Sequence, residues 1–209
     1  MNKNTISSRF LNFIVTVSIF SALFLSAFLT SCVSLTAGKP VVISRKIADK
    51  GVLTADQLTK YFIENNPKAD FHKINDFAQI YIKEAAMEGI NSDVAFAQMC
   101  LETGYLTFGN LVTADMNNFC GLGAMDAAHP GERFDTPQLG VRAHIQHLQA
   151  YATTVDVKLN NELIDPRYNW VHKTKYIENI FQLAGTWAMD PNYGNKLNDI
   201  LSRMESLVN

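Results

Sequence analysis

Glu102 ends the run Ala95-Phe96-Ala97-Gln98-Met99-Cys100-Leu101-Glu102-Thr103-Gly104, which is otherwise uncharged and mostly apolar. A lone carboxyl in such a setting is suited to giving up a proton. Asn91 or Ser92 as N-cap, Asp93 in the first turn and Gly104 as a stop make the segment a helix. Glu102 then falls in the last turn, beside unpaired carbonyls whose partial negative charge, together with burial, disfavours the carboxylate. Its pKa is expected to rise toward the range of a general acid. The alternative is an ordinary surface glutamate at a helix end. A glycine-rich loop follows, Asn117-Asn118-Phe119-Cys120-Gly121-Leu122-Gly123.

Other chemistry is less well supported. His144 and His147 lie three apart on one helix face, and Glu132, Cys100 and Cys120 are conceivable partners for them around zinc. No Cys-x-x-Cys or His-Glu-x-x-His spacing supports a metal site, so no metal or cofactor is expected. A thiol hydrolase built on Cys100 meets a further objection. Cys100 is two residues before Glu102, so the two cannot share a helix face.

Glu-Thr-Gly on a buried helix, then Asn-Asn-Phe-x-Gly, then a helix carrying Gly140-Val141-Arg142-Ala143-His144 resembles the glucosaminidases of bacterial autolysins. These are glycoside hydrolase family 73 enzymes, related in fold to lysozyme. The resemblance continues through Asp165-Pro166-Arg167-Tyr168, Leu183-Ala184-Gly185-Thr186-Trp187-Ala188 and Asp190-Pro191-Asn192-Tyr193-Gly194, and covers roughly residues 56 to 209. Several ordered blocks are far more specific than any one of them.

The resemblance implies an endo-β-N-acetylglucosaminidase that cuts β-1,4 bonds in peptidoglycan glycan strands, with Glu102 as general acid. Most such enzymes use a second carboxyl, roughly 5–5.5 Å or 6.5–9.5 Å away for retention or inversion. Many relatives place one in the β-lobe, and Glu132 is the choice here over Asp126 and Asp135. A one-acid mechanism, assisted by the substrate's own acetamido group, stays open. Tyr193 matches a tyrosine of the family's cleft and is expected to orient that group or steady the developing charge; packing on the core is its other reading. Asn118 and Phe119 match the family turn and, with Tyr105, are expected to contact the sugar, although Asn118 bonding the loop and Phe119 anchoring it is part of the same reading. Trp187 and Trp170 can stack on sugar rings, but Trp187 fits the core better. The alternatives are a muramidase or lytic transglycosylase on a similar fold, and a non-catalytic glycan-binding lipoprotein.

The start of the chain reads as an address. Lys3 and Arg9 precede an apolar run from Phe10 to Leu29, and Leu29-Thr30-Ser31-Cys32 resembles a lipobox with cleavage before Cys32 and a lipid on its sulfur. The expected organisation is a signal peptide over 1–31, a lipid-anchored tether over 32–53 and a catalytic domain over 54–209. The expected location is the cell envelope, facing the periplasm and at the outer membrane, although the choice of membrane does not follow from these residues; a monomer is expected. Without the signal, 16 basic residues face 20 acidic ones, which argues against nucleic acid as a partner. Cys100 and Cys120 are either a disulfide or two buried thiols.

The elements that must position these residues are mostly helical. Thr54-Ala55-Asp56-Gln57 fits a capping box before Leu58, Tyr61 and Phe62, and Pro67 ends that helix. A second helix is predicted over about 74–88, with Phe77, Ile80, Tyr81, Ala85 and Met87 toward the core and Gly89 as its stop. Thr136-Pro137 opens a helix reaching about Thr153. Apolar stripes at helical spacing recur at Ile177, Ile180, Phe181, Ala184 and Trp187, and again at Leu197, Ile200, Leu201, Met204 and Val208. Between Leu106 and Asp135, turn residues replace helical period. The expected fold is therefore mainly α, a lysozyme-like helical domain with a short, reduced β-lobe or loop wall over the cleft.

Overall fold

In a computed structural model that describes residues 40–209, five α-helices pack around a sixth that is buried on every side. They are α1 (Ala55–Asn65), α2 (Phe71–Glu88), α3 (Ser92–Thr103), α4 (Pro137–Ala152), α5 (Tyr168–Thr174) and α6 (Tyr193–Val208). Cys32 and the signal segment lie outside the described residues. The central element is α3, which touches α1, α2, α4 and α6. Its residues from Val94 to Met99 alternate no polar face with an apolar one, as an enclosed helix requires. Edge-to-face rings bind the layers together, with Phe62 and Tyr81 both against Phe96, and Phe77 against Phe119 at 4.7 Å.

Local signals set most helix ends. The Thr54–Gln57 capping box forms, Gly89 stops α2 in the left-handed region at φ 69°, and Thr136 caps α4 ahead of Pro137. The stripe on α6 is buried at Leu197, Ile200, Leu201 and Met204. No strand is formed among the described residues, where pairing is limited to isolated bridges, so the wall over the cleft is loop.

Three expectations change. Residues 40–53 are not a free tether: Ile43, Ile47 and Leu53 are core residues. This segment is pinned by an Arg45–Glu205 ion pair at 2.7 Å and by backbone bonds from Ile47 to Glu178 and from Ile180 to Arg45. The stripe over 177–187 is not a helix but a single 3-10 turn, Ile180–Leu183, and Phe181 is exposed. Asn179 caps that turn and Gly185, at φ 75°, bends the chain away after it. Met87 also points to solvent.

Cys100 and Cys120 are both free and buried. Cys100 belongs to the main core, whereas Cys120 packs with Leu122, Phe134 and Ala143 in a second cluster under the loop. The buried-thiol alternative is the one the fold adopts.

Candidate active site

Asn91 starts α3 by accepting from the backbone N–H groups of Asp93 and Val94, at 3.0 and 3.3 Å. Asp93, expected simply to suit the first turn, is fully buried and accepts from the backbone of Val52 and Leu53, tying the incoming segment to α3. At the other end Gly104, Tyr105 and Leu106 are all left-handed, with φ of 55°, 55° and 60°. Two of these carry side chains that disfavour this region, so the turn is strained and must be held from outside. Thr103 does so: its hydroxyl accepts from Leu106 N at 2.9 Å and its carbonyl from Phe108 N at 2.8 Å.

This turn makes one wall of a cleft of about 450 Å³. Glu102 and Thr103 line it from α3, Phe108 and Leu111 from the strained loop, Asn118 and Gly121 from the glycine loop, and Trp187 from the segment before α6. Gly140 explains how the glycine loop sits so close to α4. A Cβ there would lie 1.8 Å from the Asn117 carbonyl oxygen, so only glycine permits that approach.

Among the described residues lining the cleft, Glu102 is the one carboxylate. Its Oε1 accepts two hydrogen bonds, from the Trp187 indole N–H at 3.1 Å and from the Tyr193 hydroxyl. Oε2 has no hydrogen-bond partner among the described residues and is not fully buried, and Glu102 lines the cleft. Two donors on one oxygen leave the other to carry the proton. Burial pushes the Glu102 pKa up and outweighs the two hydrogen bonds, which favour the carboxylate. Burial thus supplies the elevation that the helix end was expected to share.

Tyr193 stands behind Glu102 rather than in the cleft. It is 5 % exposed, and its hydroxyl accepts from Gln98 Nε2 at 2.8 Å while donating to Glu102. The hydroxyl is therefore committed to Glu102. Burial and the neighbouring Glu102 carboxyl push its pKa well up, which keeps it a donor. Gly194 lets α6 start here, because a Cβ would fall 2.5 Å from the Phe181 Cα.

Trp187 is gripped by three rings, those of His147 at 5.0 Å, Tyr151 at 5.5 Å and His144 at 5.9 Å between centroids. His147 is itself fixed by Asp165, whose carboxylate lies 2.7 Å from its Nδ1. The Asp165 block and the helix histidines therefore aim the indole at Glu102.

The remaining expected site residues are placed differently. Glu132 folds its side chain over Gly123, within 3.2 Å of the position a Cβ would take, and does not line the cleft. Tyr105 turns toward α1, its hydroxyl 3.0 Å from that of Tyr61 and its ring against Phe62. Phe119 is core, so its anchoring role stands and sugar contact does not. Asn118 lines the cleft, yet its amide is spent on the loop: Nδ2 donates to the carbonyls of Leu122 and Glu132, and Oδ1 accepts from Leu122 N at 2.9 Å. Trp170 is exposed and stacks with Arg167.

Gln98 went unread in the sequence, and the contact that Trp187 makes with Glu102 did too. Gln98 carried a signal, a lone amide one helical turn before Glu102 in an apolar run, hence on the same face. Trp187 was assigned mainly to the core; nothing in its spacing shows the contact with α3.

The family model described as glucosaminidase, mannosyl-glycoprotein endo-beta-N-acetylglucosaminidase, matches residues 78–206, a span that holds Glu102, Trp187 and Tyr193. An uncharacterized protein of Borreliella burgdorferi is 41 % identical over 162 residues, which make up 78 % of this chain and 76 % of that one. No solved structure gives a significant match.

Proposed function

The chain belongs to the glucosaminidase family of glycan hydrolases, and from that premise we propose that it cuts β-1,4 bonds of peptidoglycan strands endolytically, on the reducing side of N-acetylglucosamine, with Glu102 as the acid. The observation that carries the reading is the Glu102 carboxyl itself, the one carboxylate among the described residues lining a cleft of about 450 Å³, with Oε1 held by two donors and Oε2 left without a partner.

The chemistry that fits one carboxylate uses the substrate's acetamido group. Glu102 Oε2–H protonates the glycosidic oxygen as the bond to C1 breaks, and the acetamido carbonyl oxygen closes on C1. Water then attacks C1 from the other side, giving its proton to the Glu102 carboxylate and reopening the acetamido ring. The product is an N-acetylglucosamine reducing end with its configuration retained. Trp187 and Tyr193 steady Glu102 when it is negative between the two steps.

Glu102→Gln keeps the shape and removes the proton. Activity on sacculi is expected to fall by ~10²–10⁴-fold in a folded protein. Mass spectrometry of the wild-type digest should show N-acetylglucosamine reducing ends. Anhydro-muramic ends would mean a lytic transglycosylase, and sacculus binding without fragments would mean a glycan-binding protein.

The lipobox supports a periplasm-facing envelope protein anchored through Cys32. Labelled palmitate should enter the wild-type chain and not Cys32→Ser, and surface labels on intact cells should miss it.

A further inference from the structure

Behind Tyr193 runs a buried polar chain that the catalytic proposal does not use. Gln98 Nε2 donates to the Tyr193 hydroxyl at 2.8 Å, Gln98 Oε1 lies 3.1 Å from His144 Nε2, and His144 Nδ1 lies 3.0 Å from the Tyr81 hydroxyl. Gln98, His144 and Tyr81 are each fully buried, so no solvent competes for these bonds. We propose that His144, acting through Gln98, is a positioning residue that sets the direction in which the Tyr193 hydroxyl donates, and so keeps that hydroxyl on Glu102.

The chain has a polarity. Gln98 Oε1 can only accept, so His144 Nε2 must carry the proton, and Nδ1 must then accept from the Tyr81 hydroxyl. Every donor from Tyr81 to Tyr193 consequently points toward Glu102. In the reversed chain, His144 would donate from Nδ1 to Tyr81 and accept at Nε2 from a flipped Gln98 amide. Gln98 Oε1 would then face Tyr193 and take the hydroxyl proton that Glu102 now receives. Tyr81 and Gln98, on two different helices, together decide between these arrangements through one imidazole. A charged imidazole would break the pattern by donating from both nitrogens, and burial holds the His144 pKa down to about 3.

The inference rests on reading Glu102 as the acid, but the hydrogen-bond chain can be measured without substrate. The titratable groups around Glu102 are the Tyr193 hydroxyl from α6 and the Cys120 thiol from the loop, with the Trp187 indole as a further donor. Around His144 they are Tyr81 from α2 and His147 from α4.

The test combines imidazole nitrogen spectra of the full chain with carboxyl carbon titration of Glu102. His144 is expected as the neutral Nε2–H tautomer from pH 8 to pH 5, and the Nδ1–H tautomer would overturn the proposal. His144→Phe removes the donor to Gln98, whereas His144→Gln returns an N–H near the Nε2 position. In His144→Phe the Glu102 pKa should rise by about one unit, because a donor to its charged form is lost. The high-pH limb of activity should rise with it, and kcat should fall about tenfold at constant KM. His144→Gln should recover both. A folded His144→Phe with an unchanged Glu102 titration would overturn the proposal. If that variant fails to fold, Tyr81→Phe decides: a rise in the Glu102 pKa with a mixed His144 tautomer supports the chain, and no change in either refutes it. A fully active Glu102→Gln would instead refute the catalytic reading while leaving the titration results standing.

Discussion

The Trp187 indole N–H reaches Glu102 Oε1 at 3.1 Å across 85 residues of sequence, on the same oxygen that Tyr193 engages. One carboxyl oxygen is thereby saturated with donors while the other has no partner among the described residues. Both donors hold the carboxyl through the same oxygen, so its orientation is set by residues far away in the sequence.

Trp187→Phe keeps a ring among His144, His147 and Tyr151 but removes the N–H. Losing a donor to the charged form makes Glu102 a weaker acid, and kcat should fall about tenfold or more. The high-pH limb of activity should move upward, since Glu102 holds its proton longer. A profile identical to wild type would show that the indole bond does not act on the acid.

Glu132→Gln is expected to change activity by less than about threefold. The side chain packs over Gly123 and outside the cleft lining, where the substitution keeps its shape. A loss of ~10² or more in kcat, measured on the same sacculi as Glu102→Gln, would show instead that Glu132 is the second carboxyl of a two-acid mechanism.

Cys100 and Cys120 are buried in different clusters, and burial pushes both thiols well up from the usual range. Neither should react with a thiol reagent in the native protein, and both should react in denaturant without prior reduction. A protein that yields these thiols only after reduction would refute this placement.

Acid should weaken the fold through His144. Its pKa is about 3 when folded against an ordinary 6.5, so the unfolded chain binds the extra proton over that interval. The contribution is fully present above pH 6.5 and is lost as pH falls toward 3, by an amount on the order of 4–5 kcal/mol at most. Urea midpoints measured from pH 7 to pH 4 should fall for wild type and fall less for His144→Gln. Equal slopes would remove His144 as the cause.

Local signals in the sequence determined most of the helices and placed Glu102 at the end of an enclosed one. Thr54, Asn91, Gly89, Gly104 and Thr136 act through their own backbone neighbours, and the apolar run around Glu102 fills an enclosed helix whatever surrounds it. Where pattern and geometry parted, a distant contact intervened. Ile177 to Trp187 has helical spacing, but Asn179, Gly185 and the Lys46–Asn179 bridge bend it into a turn. Residues 40–53 lack any period because three apolar side chains anchor them one at a time. Tertiary structure alone decided what surrounds the acid. Trp187, Tyr193, Gln98 and His144 come from α3, α4, the start of α6 and the loop before it, and their side-chain hydrogen bonds leave no periodic trace in the chain. Only the packing of these elements around α3 brings those donors and acceptors within bonding distance, which is why Glu102 stood out from its neighbours in sequence while the hydrogen bonds of Tyr193 and Trp187 to it, and of Gln98 to Tyr193, did not.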